Sequence, residues 1–272
     1  MDTLDWFNKK LVERYGMVKR ARGCYLYTQK GVRLVDLWQE NGRAILGWGA
    51  CNSKAMQVYK NCMARGQTGS FSTDYKKRFE KAILQLVHSH PETGKAIDGL
   101  KYTKVCVSYT NYAIKDVPMW RPWLGVTNTQ CFKKIDTAPA IIVTIPFSLA
   151  YSIHVIACTA EFYKTKKTEL ELSALVPGAF FSAAARSIHS LIHELPRRGE
   201  VDFKCFDTSL SPYFTRKGPY LLPDSKIKYK SFILHCLDCG IVINPFQNTP
   251  SLIPYGANLG DFRKLDKMPY SI

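Results

Sequence analysis

A chain of 272 residues with 46% hydrophobic and 22% charged content has a globular composition, which excludes general disorder. At this length a core forms without staples, and 12% aromatic residues supply large apolar areas to fill it. The net charge of +16, from 38 basic against 22 acidic residues, favours acidic partners through a long-range, salt-dependent field.

Met1-Asp2-Thr3-Leu4-Asp5-Trp6-Phe7 carries acids where a signal peptide needs positive charge, and no apolar run follows. The nine cysteines are an odd, scattered number, as expected of reduced thiols in a cytoplasmic protein. Asp2 to Tyr15 reads as a helix with Leu4, Phe7, Leu11 and Val12 on one face and Gly16 as its stop. Residues 23–28 and 32–37 read as two strands of a hairpin turning at Gln29-Lys30-Gly31, and a glycine-punctuated loop runs from Gly42 to Gly49.

Asn52 to Arg65 and Tyr75 to His88 are predicted helices, the second grouping Phe79, Ile83, Leu84 and Val87. Lys104 to Tyr109 reads as a strand. Val117-Pro118-Met119-Trp120-Arg121-Pro122-Trp123 reads as a rigid, extended segment, because each proline pushes its predecessor out of helical geometry. Thr137 to Ala160 carries no charge, yet Pro139, Pro146, His154 and several hydroxyls argue against a membrane span. Ile141 to Ile145 is expected to be a buried strand and Phe147 onward a buried helix. Gly178 to Glu194 is a helix stopped by Pro196. Tyr229 to Asp238 is read as the last helix, ended by Gly240, with Ile241-Val242-Ile243 as a following strand. The mixture points to an α/β or α+β fold in one domain over residues 1–272.

No complete catalytic motif appears. Cys236-Leu237-Asp238-Cys239, with His235 beside it, lacks a second ligand pair for zinc and sits at the wrong helix end to lower a thiol pKa. His189 and His193 are one turn apart, but Ser190 stands where a metalloprotease helix needs glutamate. His88 and His90 suit a helix C-terminus without any further role. Gly256-Ala257-Asn258-Leu259-Gly260-Asp261 has too few glycines for a phosphate cradle, and no capped helix is expected after it. The basic residues are dispersed over Lys9–Arg22, Lys76–Arg78, Lys164–Lys167 and Arg216–Lys230 with no nucleic-acid motif, so nucleic-acid binding rests on charge alone.

Residues 20–27, then Gly31 to Leu37, then Gly42 and Ile45-Leu46-Gly47, resemble the start of class III pyridoxal-phosphate aminotransferases. In that family a hairpin with a glycine turn and an aspartate leads into a glycine loop ending Leu-Gly-His; Trp48 stands here for the histidine, and Cys51-Asn52 near the usual proline. Phe232, Leu237, Gly240 and Ile241 resemble the family's closing helix-glycine-strand unit, so the resemblance implies that both chain ends form a fold-type I small domain.

The middle departs from the family. Ser108 to Ala113 lacks the glycine and glutamate of the cofactor-phosphate turn, and neither an aspartate for the pyridine nitrogen nor a Schiff-base lysine stands in matching context. The chemistry needs all three, because the protein must orient the cofactor, tune its ring and hold it covalently. The resemblance therefore implies a shortened relative with a replaced central region and no retained cofactor, in a binding or assembly role. Gly42, Arg43 and Trp48 would face the cofactor cleft and are the ligand-pocket candidates; no metal site is assigned. A diverged pyridoxal-phosphate enzyme and a basic polyanion-binding protein are the alternatives. The family's dimers imply a homodimer or a protein partner.

Overall fold

The computed structural model of this chain describes residues 1–272 except 1, 50–53, 70, 91, 92, 94, 96, 98–100, 109–116, 129–131, 151, 152, 171–175, 255 and 272. In chain order the helices and strands begin with α1 (Thr3–Tyr15), β1 (Val18–Arg22), β2 (Tyr25–Thr28), β3 (Arg33–Asp36), α2 (Ala55–Ala64) and α3 (Asp74–Val87). There follow β4 (Lys104–Ser108), β5 (Met119–Arg121), β6 (Gly125–Thr127), β7 (Ala140–Val143), β8 (His154–Cys158), α4 (Ala160–Leu170) and α5 (Gly178–Glu194). The chain closes with α6 (Glu200–Lys204), α7 (Asp207–Leu210), β9 (Phe214–Lys217), β10 (Tyr220–Pro223), α8 (Tyr229–Asp238), β11 (Ile241–Val242), β12 (Ser251–Leu252) and α9 (Arg263–Lys267). They fall into two compact units: Met1–Cys51 with Glu200–Ile272, and Asn52–Gly199.

The first unit is made from the two chain ends. Phe7 and Leu11 bury one stripe of α1, while Val12, expected on that stripe, is 43% exposed. Gly16, at φ 70°, ends the helix and returns its N–H to Val12 O at 2.9 Å. Arg14 Nε on Asp238 Oδ1 at 2.6 Å and Tyr15 Oη on Leu237 O at 2.5 Å fasten α1 to the end of α8.

A four-stranded sheet in the order β1-β2-β3-β11 lies beside these helices. The expected hairpin is β2–β3, antiparallel from Tyr25↔Val35 to Tyr27↔Arg33, and β11 adds to β3 in parallel through Ile241↔Val35. Strand β1 was not expected, because Val18–Arg22 carries three cations. Its position across from tyrosines explains it: the Arg20 guanidinium lies 4.3 Å from the Tyr27 ring centroid, and Arg33 stacks likewise on Tyr25 at 4.2 Å. A three-stranded sheet, β12-β10-β9, completes the unit. Its core centres on Phe232 of α8, fully buried, with the rings of Tyr213, Phe214 and Tyr270 at 5.1, 5.6 and 5.1 Å.

The second unit sets helices on a five-stranded sheet in the order β4-β8-β7-β5-β6. The alanine-rich stripe of α5, with Ala183, Ala184, Ile188 and Leu191 fully buried, lets α2 and α3 approach closely. Phe79 of α3 meets Phe181 at 5.2 Å, and Phe147 meets Phe180 at 5.8 Å and Tyr59 at 6.0 Å.

The uncharged stretch departs from expectation after Phe147. Ser148–Ala150 is a single 3-10 turn, and His154–Cys158 is strand β8, inserted between β4 and β7, instead of a helix. A five-residue apolar run buried on both faces carries no period to distinguish the two states. Among the described residues no helix is long and apolar enough to cross a membrane.

Candidate functional site

The glycine loop is organised by Asp36, the last residue of β3 and wholly buried. Its Oδ1 accepts the backbone N–H groups of Trp38 at 2.9 Å and Gln39 at 3.1 Å, and its Oδ2 accepts the Trp48 indole N–H at 2.7 Å. Burial pushes the carboxyl up to about 6, although all three donors favour its ionised form.

Beyond it Gln39, Glu40 and Asn41 take φ values of 51°, 47° and 58°, and Gly42 takes 94°. Only the glycine adopts this left-handed region freely, so the other three store roughly 1–2 kcal/mol apiece. The run is held by Gln39 Nε2 on Asp36 O at 2.9 Å, and by Asn41 Oδ1, which accepts from Trp38 Nε1 at 3.3 Å and Asn244 Nδ2 at 2.7 Å. The buried side chains of Ala44, Ile45 and Leu46 anchor its far end.

The three expected pocket residues separate into two kinds. Gly42 and Trp48 serve the loop itself: Gly42 closes the left-handed run, and Trp48 exchanges backbone hydrogen bonds with Gly23 at 3.1 and 2.8 Å besides its indole bond. Arg43 is half-buried, and among the described residues its guanidinium has no hydrogen bond or ion pair. Burial lowers its pKa, and Glu40, whose own carboxyl burial raises, acts on it only through its field. Gln39 Oε1 is also buried without a partner. The sequence marks neither Asp36 nor Gln39 as a site residue; its one signal here is an aspartate followed by Trp38 and Trp48 on the two sides of Gly42.

In the second unit, β4, β5 and β7 run in one direction and β6 and β8 against them. Open α/β sheets bind ligands at the C-terminal ends of such strands. Here that edge is formed by Ser108 paired with His154, and by Val143 paired with Val155 and Trp120. Alternation along the strands sets Ser108, His154 and Arg121 on one face, and Thr144 follows the last residue of β7. Arg121 is buried; its Nη1 donates to Thr127 Oγ1 and, at 2.8 Å, to Asn128 O, and its guanidinium stacks 5.0 Å from the Phe132 ring centroid. The Trp120–Trp123 segment is thus β5 and its turn, with Trp123 Nε1 donating to Leu195 O at 3.0 Å and Arg198 O at 2.9 Å. Within the span compared with the phosphate turn, residues 109–113 lie outside the described residues, as do Cys51 and Asn52.

The remaining motifs resolve as structure. Cys236 and Cys239 are buried, and burial raises both thiols; the Cys239 Sγ contact with His235 Nε2 is 3.8 Å, and His235 Nε2 also meets Met268 O at 2.7 Å. His189 and His193 lie on the exposed side of α5. Among the described residues no group of three or more histidines, cysteines and carboxylates is placed to hold a metal ion. Contrary to expectation a capped turn does follow Gly256: Asn258 and Asp261 form a reciprocal capping box that opens a 3-10 turn leading into α9, so α8 is not the last helix.

The arrangement is that of the aminotransferase fold. An ornithine δ-aminotransferase from Plasmodium falciparum superposes with a TM-score of 0.60 at 13% identity, covering 98% of this chain and 97% of its own. An acetylornithine aminotransferase from Elizabethkingia anophelis gives 0.57 at 11% identity over 98% and 99%, and an omega-transaminase from Sphaerobacter thermophilus 0.61 at 9% over 96% and 95%. The likeness therefore extends across both units, well beyond the two segments that carry the sequence resemblance. By sequence, an uncharacterised protein of Treponema pallidum is 27% identical over 92% of this chain and 93% of its own. One of Borreliella burgdorferi is 22% identical over 98% and 94%. No protein-family model matches the chain.

Proposed function

We propose that this chain is a binding protein built on the aminotransferase fold, without lysine-dependent transamination, and that the loop of Gly42, Arg43 and Trp48 faces its ligand. The observation that carries the reading is the chemistry at the C-terminal edge of β4, β5 and β7. A pyridoxal cofactor needs an acidic group at its ring nitrogen and a lysine amine at its aldehyde. The described residues at this edge are Ser108, Thr144, His154 and Arg121, the last already hydrogen-bonded to Thr127 and Asn128, and among them stands neither a carboxylate nor an amine. That donor set does not fit the covalently held cofactor.

Arg43 supports the binding half of the proposal. A half-buried guanidinium has lost part of its hydration, and among the described residues nothing replaces it. A carboxylate or phosphate ligand would supply the missing bidentate bonds, and the Asp36 hydrogen bonds fix the loop from which Arg43 projects.

The test is the absorbance spectrum of the protein with pyridoxal phosphate, followed by borohydride reduction and mapping of labelled lysines. Scattered substoichiometric labelling is expected. One lysine labelled stoichiometrically would overturn the proposal and name the centre of an enzyme.

A further inference from the structure

Five consecutive residues, Thr103 to Val107, line a single cavity of about 420 Å³. Successive side chains of a strand point to opposite faces, so one cavity meets all five only by running along the strand's open edge. Strand β4 is the edge of its sheet, which satisfies that condition. Its apolar lining includes Val107, Leu170 and Phe181, all buried, with Cys106 among the lining residues.

The rim is basic. Helix α3 turns Phe79, Ile83 and Leu86 into the core and presents Lys76, Lys77 and Lys81 to the cavity. Lys104 is an exposed lining residue, its ammonium 5.7 Å from the Tyr163 ring centroid. Glu80 is the one carboxylate among the described lining residues, and it makes no ion pair with these lysines. Four cations therefore surround an apolar recess with one carboxylate to offset them.

We propose that this recess binds a small amphipathic organic anion, its charged group among Lys76, Lys77, Lys81 and Lys104 and its apolar body against Val107 and Phe181. The volume is that of a small-molecule site. An added peptide strand fits less well, because Cys106 and Val107 are buried and leave only Thr103 to Val105 of the edge accessible. This site lies wholly in the second unit and does not depend on the reading of the Arg43 loop.

The probe is 8-anilinonaphthalene-1-sulfonate, an aromatic sulfonate whose fluorescence rises in apolar surroundings. Saturable binding of one equivalent is expected, weakened at least tenfold in the Lys77→Glu/Lys81→Glu double variant and, on a different element, in Lys104→Glu. Circular dichroism and the unfolding midpoint establish that each variant is folded, and either folded variant suffices for the comparison. Decanoate is expected to displace the probe where equimolar inorganic phosphate does not. The proposal is overturned if folded variants bind within twofold of the parent, if phosphate competes as well as decanoate, or if only polyglutamate competes. Binding lost in Arg43→Ala but kept in the lysine variants overturns it as well, by placing the probe at the loop.

Discussion

Replacing Trp48 with phenylalanine tests one bond at the centre of the glycine loop through its pH dependence. A six-membered ring is kept, and the five-membered ring is lost at a packing cost that does not vary with pH. Asp36 Oδ2 loses the indole N–H that reaches it at 2.7 Å. Asp36 titrates at about 6 in the fold against an ordinary 3.8. Because the folded value is the higher one, the group favours the fold most below 3.8, and that advantage is lost as pH rises through 6. Ionised at neutral pH, Asp36 is tolerated at a cost on the order of 3 kcal/mol. A hydrogen bond to a charged group contributes about 1.5–3 kcal/mol and a neutral one about 1 kcal/mol. The lost bond in Trp48→Phe is therefore expected to contribute about 2 kcal/mol at pH 8 and about 1 kcal/mol at pH 5, on top of a packing loss common to both. Equilibrium urea unfolding reads the difference: with a slope near 3 kcal/mol/M, the midpoint falls by roughly 0.3 M more at pH 8 than at pH 5, each relative to the parent at the same pH. An equal fall at both, or a larger one at pH 5, would refute the assignment of Asp36 as an ionised acceptor.

Two further substitutions test separate parts of the first unit. Arg216 Nε and Nη2 meet Asp207 at 2.5 and 2.8 Å, and Nη2 meets Glu200 at 2.6 Å, so Arg216→Ala is expected to cost about 1–2 kcal/mol, given the partly exposed partners. The Arg216 hydrogen bond holds Asp207 below its ordinary 3.8, so the loss is full above that value and shrinks as pH falls through the lowered one; thermal unfolding at pH 7 and pH 3 checks this. Gly240, at φ 82°, has no heavy atom within 4 Å of an added Cβ, so Gly240→Ala meets backbone strain alone and is expected to lower stability by about 1–2 kcal/mol in urea unfolding. A neutral result would remove the left-handed cap from the account of how α8 ends.

The fold was legible where a periodic face had a clear stop. The boundaries of α5 and α8 and the hairpin β2–β3 follow from buried spacing plus Pro196, Gly240 and Gly31. The pairing of the two ends came from the resemblance alone, because no local signal tells Ile241 that it will lie beside Val35. Strand β8 was hidden because complete burial erases alternation, and β1 because its arginines and lysine read as a solvated run. At the loop the glycines announced a special backbone, but the left-handed run falls on Gln39, Glu40 and Asn41, which sequence gives no reason to place there. The role of Asp36 was equally silent, since its three donors come from backbone geometry and from a tryptophan twelve residues on.

The parallel pairing of β3 with β11 also sets a timetable for the nascent chain. Val35 and Ile241 are separated by about 200 residues, and a ribosome adding 5–20 residues per second takes roughly 10–40 s to cover that distance. Throughout that interval the emerged hairpin presents Leu34 and Val35, both buried in the finished protein, on a strand with one edge unpaired. Asn52–Gly199 is contiguous, so all of it is synthesised after the hairpin and before β11 appears, and the hairpin's sheet is completed only once the whole second unit has been made.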